Sequence, residues 1–246
     1  MSAQTFEIFA TIATASILFP FVIYVFNFKK FPRINHFIGI YVTVALIADG
    51  IVTVLYFQGH QTIIPINIYY VSTFVLVSLF YRGLIFAKRL KYVQYAGSSI
   101  FVVSAIYYYS PLSEFNNFLW ATEAFIIGSY GLSYIIALKE MIVERLLDKN
   151  LYSYQIINAS ILMYFLITLL LFVSTEYVFS HADLDTSRLF WSFHNIANTL
   201  KNVGLAIGLY YTGRRDVKTT LLEIEKLGRQ QSGEEYEQVW AKSFKK

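Results

Sequence analysis

Apolar and polar positions alternate along this chain in long blocks. Seven apolar runs, roughly 6–27, 36–57, 65–87, 93–109, 116–138, 154–178 and 187–212, are separated by short polar connections. A membrane-spanning helix needs about 20 predominantly apolar residues. The pattern therefore predicts an all-α, polytopic membrane protein, a bundle of seven transmembrane helices over 1–212. Residues 213–246 are read as a short cytoplasmic helical tail. The fourth run is the shortest and extends through Tyr92 if the helix starts early. Pro32, Pro65 and Pro111 fall at or near run boundaries, whereas Pro20 lies inside the first run and predicts a kink there. No connection is long enough to be a domain, and no internal repeat is visible, which argues against inverted-repeat transporter folds.

Charge placement adds an orientation. Lys29, Lys30 and Arg33 fill the first connection. The third carries Lys88, Arg89 and Lys91, the fifth Lys139, Arg145 and Lys149, and the segment after the last run Arg214, Arg215 and Lys218. The second and fourth connections, Gln58–Gln61 and Ser110–Asn117, carry no Lys or Arg, and the sixth only Arg188. Basic connections face the cytoplasm. The alternation predicts the N-terminus outside and the C-terminus inside. Met1 to Gln4 hold no basic residue, so the first run is expected to stay as a span rather than act as a signal peptide.

Composition agrees with a lipid environment. Of 246 residues, 56% are hydrophobic and only 15% charged, against about 25% charged in soluble domains. The net charge of +4 sits in short loops rather than on one surface, so nucleic acid is not an expected partner. Twenty tyrosines suit the membrane–water boundary, where a ring has one dry and one wet end. Cysteine is absent, which excludes disulfides, thiolate metal sites and cysteine nucleophiles.

Candidate chemistry lies inside the runs. Ionisable residues within spans usually face the bundle interior and are functional candidates. Asp49 stands in "ALIADGIV", Glu123 in the fifth run, and His194 and Lys201 in the seventh. Counted from their cytoplasmic ends, Asp49 is about 14 residues up and Lys201 about 11, or roughly 21 and 17 Å. An Asp49–Lys201 ion pair is therefore allowed by depth, and by the same reasoning so is a Glu123–His194 hydrogen bond. His194, Asn198 and Lys201 share one helix face at spacings of +4 and +3, flanked by Asn195 and Asn202. The set Asp49, Glu123, His194, Asn198 and Lys201 reads either as a ligand- or ion-binding interior or as hydrogen-bonding glue that fixes helix register. Below it, Gly204 and Gly208 form a GxxxG, which serves close packing within the bundle or between copies of the chain.

The tail carries Val217, Leu221 and Ile224 at helical spacing, a break at Gly228 to Gly233, and then an apolar face of Tyr236, Val239, Trp240 and Phe244. That face suits a membrane surface, a protein partner or the underside of the bundle. The tail is too short for a catalytic domain. No metalloprotease, nucleophile-elbow or phosphate-loop motif occurs, and the four histidines are scattered, so neither an enzyme nor a metal centre is expected.

Seven spans and a lysine in the last also resemble the layout of retinal proteins. The rest departs from that pattern. "IYYVSTFVLVSLFYRG" holds no acidic counterion, Ala197 stands where microbial rhodopsins place an acid, and "QIINASILMYFLITLLLFV" has neither Trp nor Pro. No cofactor is expected. "FWSFHNIANTLKNVGLAIGLYYTGRR" and "LYSYQIINASILMYFLITLLLFV" resemble the seven-helix membrane input regions of bacterial sensor kinases and their kinase-less relatives. The resemblance covers about the last third of the chain. It implies a bacterial cytoplasmic (inner) membrane location and non-enzymatic sensing of a ligand or of the membrane state, passed through the seventh helix to the tail or a partner. The alternative from another class is an oligomeric channel or transporter.

Overall fold

A computed structural model describes residues 2–85, 87–108, 117–143, 152–181 and 184–214. Among these residues the chain is helical throughout, with no strand. The elements are α1 (Ala3–Ser16), α2 (Leu18–Asn27), a 3-10 turn (Phe28–Lys30), α3 (Arg33–Phe57), α4 (Ile63–Leu84), α5 (Lys88–Tyr108), α6 (Asn117–Val143), α7 (Tyr152–His181) and α8 (Leu184–Arg214). The tail residues Val217, Leu221, Ile224, Tyr236, Val239, Trp240 and Phe244 lie outside the described residues.

Five helical stretches are long and apolar enough to cross a membrane: Gln4–Lys30, Arg33–Phe57, Ile63–Leu84, Phe118–Lys139 and Tyr152–Ser174. The chain thus has the character of a multi-pass helical membrane protein. The other two expected spans, α5 and α8, form helices of 21 and 31 residues. Each is too polar to be counted by apolarity alone. Lys88, Arg89, Lys91 and Gln94 open α5, and Lys201 with three asparagines interrupts α8.

The first apolar run is two helices rather than one. Pro20 has no N–H to give the carbonyl of Ser16, four residues earlier, and the helix breaks at Ile17. At the far end of α3, Gly59 takes φ 72° and the chain turns. Its N–H bonds to the Tyr56 carbonyl at 3.1 Å, while His60 N–H reaches back to Leu55 at 2.9 Å. This is a Schellman cap, and a left-handed residue is what it needs.

The helices close into a ring in chain order. The α1–α2 unit packs on α8 and α3, α3 on α4, α4 on α5 and α6, α5 on α6, α6 on α7, and α7 on α8. The glycines of α8 lie close against α7. A Cβ on Gly204 would run into the Ser160 side chain, and one on Gly208 into Ile157. The GxxxG therefore seats α8 on α7 within one chain.

The core is aromatic. Tyr41, Tyr81, Tyr130, Tyr134, Tyr154 and Phe80 are among its largest fully buried side chains, so these tyrosines face the interior of the bundle. Three of the buried tyrosine hydroxyls find partners on other helices, whereas that of Tyr134 has none. Tyr154 donates to Asn35 Oδ1 at 2.7 Å, Tyr81 to Asn158 Oδ1 at 2.7 Å, and Tyr130 to the Gln94 carbonyl at 2.9 Å. With no water at hand, such bonds avoid the cost of an unpaired polar group.

Candidate functional site: a buried ammonium among tyrosines

Two faces of α8 divide its labour. Leu189, Phe193, Ile196, Leu200, Val203, Ile207 and Tyr210 recur at alternating steps of four and three and turn outward. The opposite face carries Ser192, Ala197, Lys201, Asn202, Leu205 and Leu209 into the bundle. The polarity of α8 is thus an inward stripe. Asn202 Nδ2 donates to Ser16 Oγ at 2.8 Å, holding α8 against the break between α1 and α2.

Lys201 is only 1% exposed. Its Nζ donates to the Tyr41 hydroxyl of α3 at 2.8 Å. The same nitrogen lies 4.2 Å from the centroid of the Tyr164 ring on α7 and 5.4 Å from that of Tyr41. A cation on an aromatic face is attracted by the ring quadrupole, most strongly where water is excluded. Tyr69 of α4 acts electrostatically on Tyr41. The ammonium is therefore held by tyrosines from α3 and α7, with a third, from α4, behind them.

The expected Asp49–Lys201 ion pair is not formed. Lys201 gives its hydrogen bond to Tyr41, and Asp49 acts on it only electrostatically, at longer range. Matching depth is not enough, because depth leaves the rotation of a helix free. Tyr41 and Asp49 are eight residues apart, which puts Asp49 about 12 Å further along α3 and turns it about 80° around the helix from Tyr41. Asp49 is half-buried as a result. Among the described residues the direct ion pair is Arg188–Asp185, at 3.2 Å near the start of α8.

The Glu123–His194 hydrogen bond is not formed either. Glu123 is 1% exposed, and its Oε1 has no hydrogen-bond partner. His194 Nδ1 is also buried without one. The cause is the order of the ring: α7 stands between α6 and α8, and its Tyr164 ring lies against His194. Glu123 acts electrostatically on Tyr41, Tyr69 and Tyr164. The His194 ring meets Tyr164 on one side and Trp191 on the other, each with centroids 5.7 Å apart. Asn198 is half-buried on the same α8 face, between His194 and Lys201.

An aromatic layer closes the cluster beside Glu123. Trp120, one turn earlier on α6, stacks on Tyr70 of α4 at 4.2 Å and meets Phe172 of α7 at 5.1 Å. Among the described residues no three of His, Asp and Glu come together as metal ligands.

Asp49, Glu123, His194 and Lys201 are thus drawn around one set of rings, but Tyr41, Tyr69 and Tyr164 make the connections. Composition alone assigns tyrosine to the membrane boundary and misses these three. The signal for an interior role is the position of Tyr164 well inside its run, away from either end; Tyr41, five residues from the start of its own, carries no such signal. No protein-family model matches the chain, and neither a curated protein nor a solved structure is significantly similar to it.

Proposed function

We propose that the chain is a seven-span membrane sensor, N-terminus outside and C-terminus cytoplasmic, in a bacterial cytoplasmic membrane. Its buried polar cluster binds a ligand or ion, and α8 carries the response to the cytoplasmic tail or to a partner, without catalysis. One observation carries the reading. The Lys201 ammonium is held inside the bundle by Tyr41 and Tyr164 while Glu123 Oε1 and His194 Nδ1 nearby stay unpaired. Polar groups buried this way are costly unless something uses them.

Two further features support the topology. Counted as one broken rod, α1–α2 makes α3 to α8 the other six members of a closed ring, and α8 fills its place with an apolar face turned outward. Continuity favours α8 as the relay, since it runs unbroken from the cluster to Arg214. A pore through a single copy fits less well, because the interior is filled by Tyr81, Tyr130, Tyr134, Tyr154 and Phe80. The glycine pair that would suit a subunit interface faces α7 instead.

Native mass spectrometry of the protein, extracted gently from its own membrane, tests the reading. A monomer or dimer carrying an extra small mass is expected. A ring of several copies that conducts ions after reconstitution would overturn it in favour of a channel.

A further inference from the structure

The cluster already solves one recognition problem, the capture of an ammonium group away from water. Lys201 supplies that ammonium, Tyr41 accepts one of its three N–H donors, and the Tyr164 ring takes the cationic face. What the arrangement leaves open is an acceptor. Glu123 Oε1 is buried, unpaired and close enough to act electrostatically on Tyr41, Tyr69 and Tyr164. Lys201 does not fill it, since its hydrogen bond goes to Tyr41. Charge points the same way. Asp49 and Glu123 bring two carboxyl groups to a cluster whose basic side chains are Lys201 and His194. An anion would meet two acids here, whereas a second cation would meet an empty acceptor and aromatic walls.

We propose that Glu123, Tyr41, Tyr69 and Tyr164 form a recognition site for a small organic ammonium, and that the Lys201 ammonium is its tethered competitor. The proposal deepens the sensor reading and rests on it for its biological meaning. A ligand N–H bonds to Glu123 Oε1, and its cationic face shares the tyrosine rings with Lys201. Binding loosens the Lys201–Tyr41 hydrogen bond, which is one of the side-chain bonds tying α8 to the rest of the bundle. Ligand occupancy is thereby coupled to the helix that leads to the tail.

The test uses the full chain in lipid nanodiscs and ethylammonium chloride as the probe, against sodium chloride at equal ionic strength. Thermal unfolding and tryptophan fluorescence are the readouts, since Trp120 and Trp191 flank the cluster. Lys201→Met removes the tethered cation but keeps an unbranched side chain of similar size. It is expected to gain a saturable stabilisation by ethylammonium, at an apparent affinity about tenfold tighter than the unaltered protein. Adding Glu123→Gln to that variant abolishes the response. A folded Lys201→Met that ignores ethylammonium overturns the proposal, as does a Glu123→Gln form that binds equally well. If Lys201→Met does not fold, the unaltered protein and Glu123→Gln are titrated side by side. A saturable shift confined to the former supports the site, and no difference between them overturns it. Binding is measured without partner or output. A conducting ring would therefore sink the sensor reading while leaving a positive ethylammonium result intact, and the reverse holds equally.

Discussion

Tyr41→Phe removes a single oxygen from the hydrogen bond that holds the Lys201 ammonium. The bond is 2.8 Å long and fully buried, and a hydrogen bond to a charged group contributes about 1.5–3 kcal/mol. The Tyr164 ring, 4.2 Å away, is untouched by the change, so the cation keeps its aromatic contact and the loss should stay in that range. Lys201→Met is expected to be milder, within about 1 kcal/mol, because exchanging a buried ion for an apolar side chain of similar size also removes the cost of burying charge. Once Lys201 is methionine, Tyr41→Phe breaks only neutral contacts, each worth about 0.5–1.5 kcal/mol. The double-mutant cycle should therefore show a coupling of about 1–2 kcal/mol. Reversible unfolding in mixed micelles, titrated with a denaturing detergent, measures all four proteins. The parallel cycle of Asp49→Asn with Lys201→Met should give a smaller coupling, because Asp49 touches the ammonium only through space. A Tyr41 coupling below about 0.3 kcal/mol, or an Asp49 coupling that exceeds it, would refute this account of what holds the lysine.

Packing and topology yield two more expectations. Gly204→Ala places a methyl group on the Ser160 side chain and should cost about 1–3 kcal/mol; Ser160→Gly in the same protein should recover most of it, and no recovery would mean that α7 and α8 are not in register there. The chain has no cysteine, so single cysteines introduced at the exposed positions Lys30 and Gln58 report the orientation cleanly. A membrane-impermeant maleimide added to right-side-out vesicles should label Gln58→Cys and spare Lys30→Cys. Labelling of both would refute the proposed topology.

The polar face of α8 is legible in the sequence. His194, Asn198 and Lys201 follow helical spacing, and helical spacing is set by backbone geometry alone. The break near Pro20 is legible too, since a missing N–H acts on the residue four positions earlier whatever the surroundings. The partners are not legible. Depth along a span comes from counting residues, but a side chain's partner also depends on rotation about the helix axis and on which helices are neighbours. Asp49 stands about 12 Å further along α3 than Tyr41 and about 80° around the helix from it, while Glu123 and His194 stand on helices separated by α7.

The local chemistry of each rod follows from the chain alone: apolar runs long enough for lipid, their punctuation by proline and glycine, and four ionisable groups where lipid by itself would not tolerate them. The company those groups keep comes from tertiary packing instead. Periodicity is a property of one helix and survives in isolation. A hydrogen bond between helices depends on the packing of the whole ring, in which Gly204 lets α8 lie against α7 and Tyr41, rather than Asp49, meets Lys201.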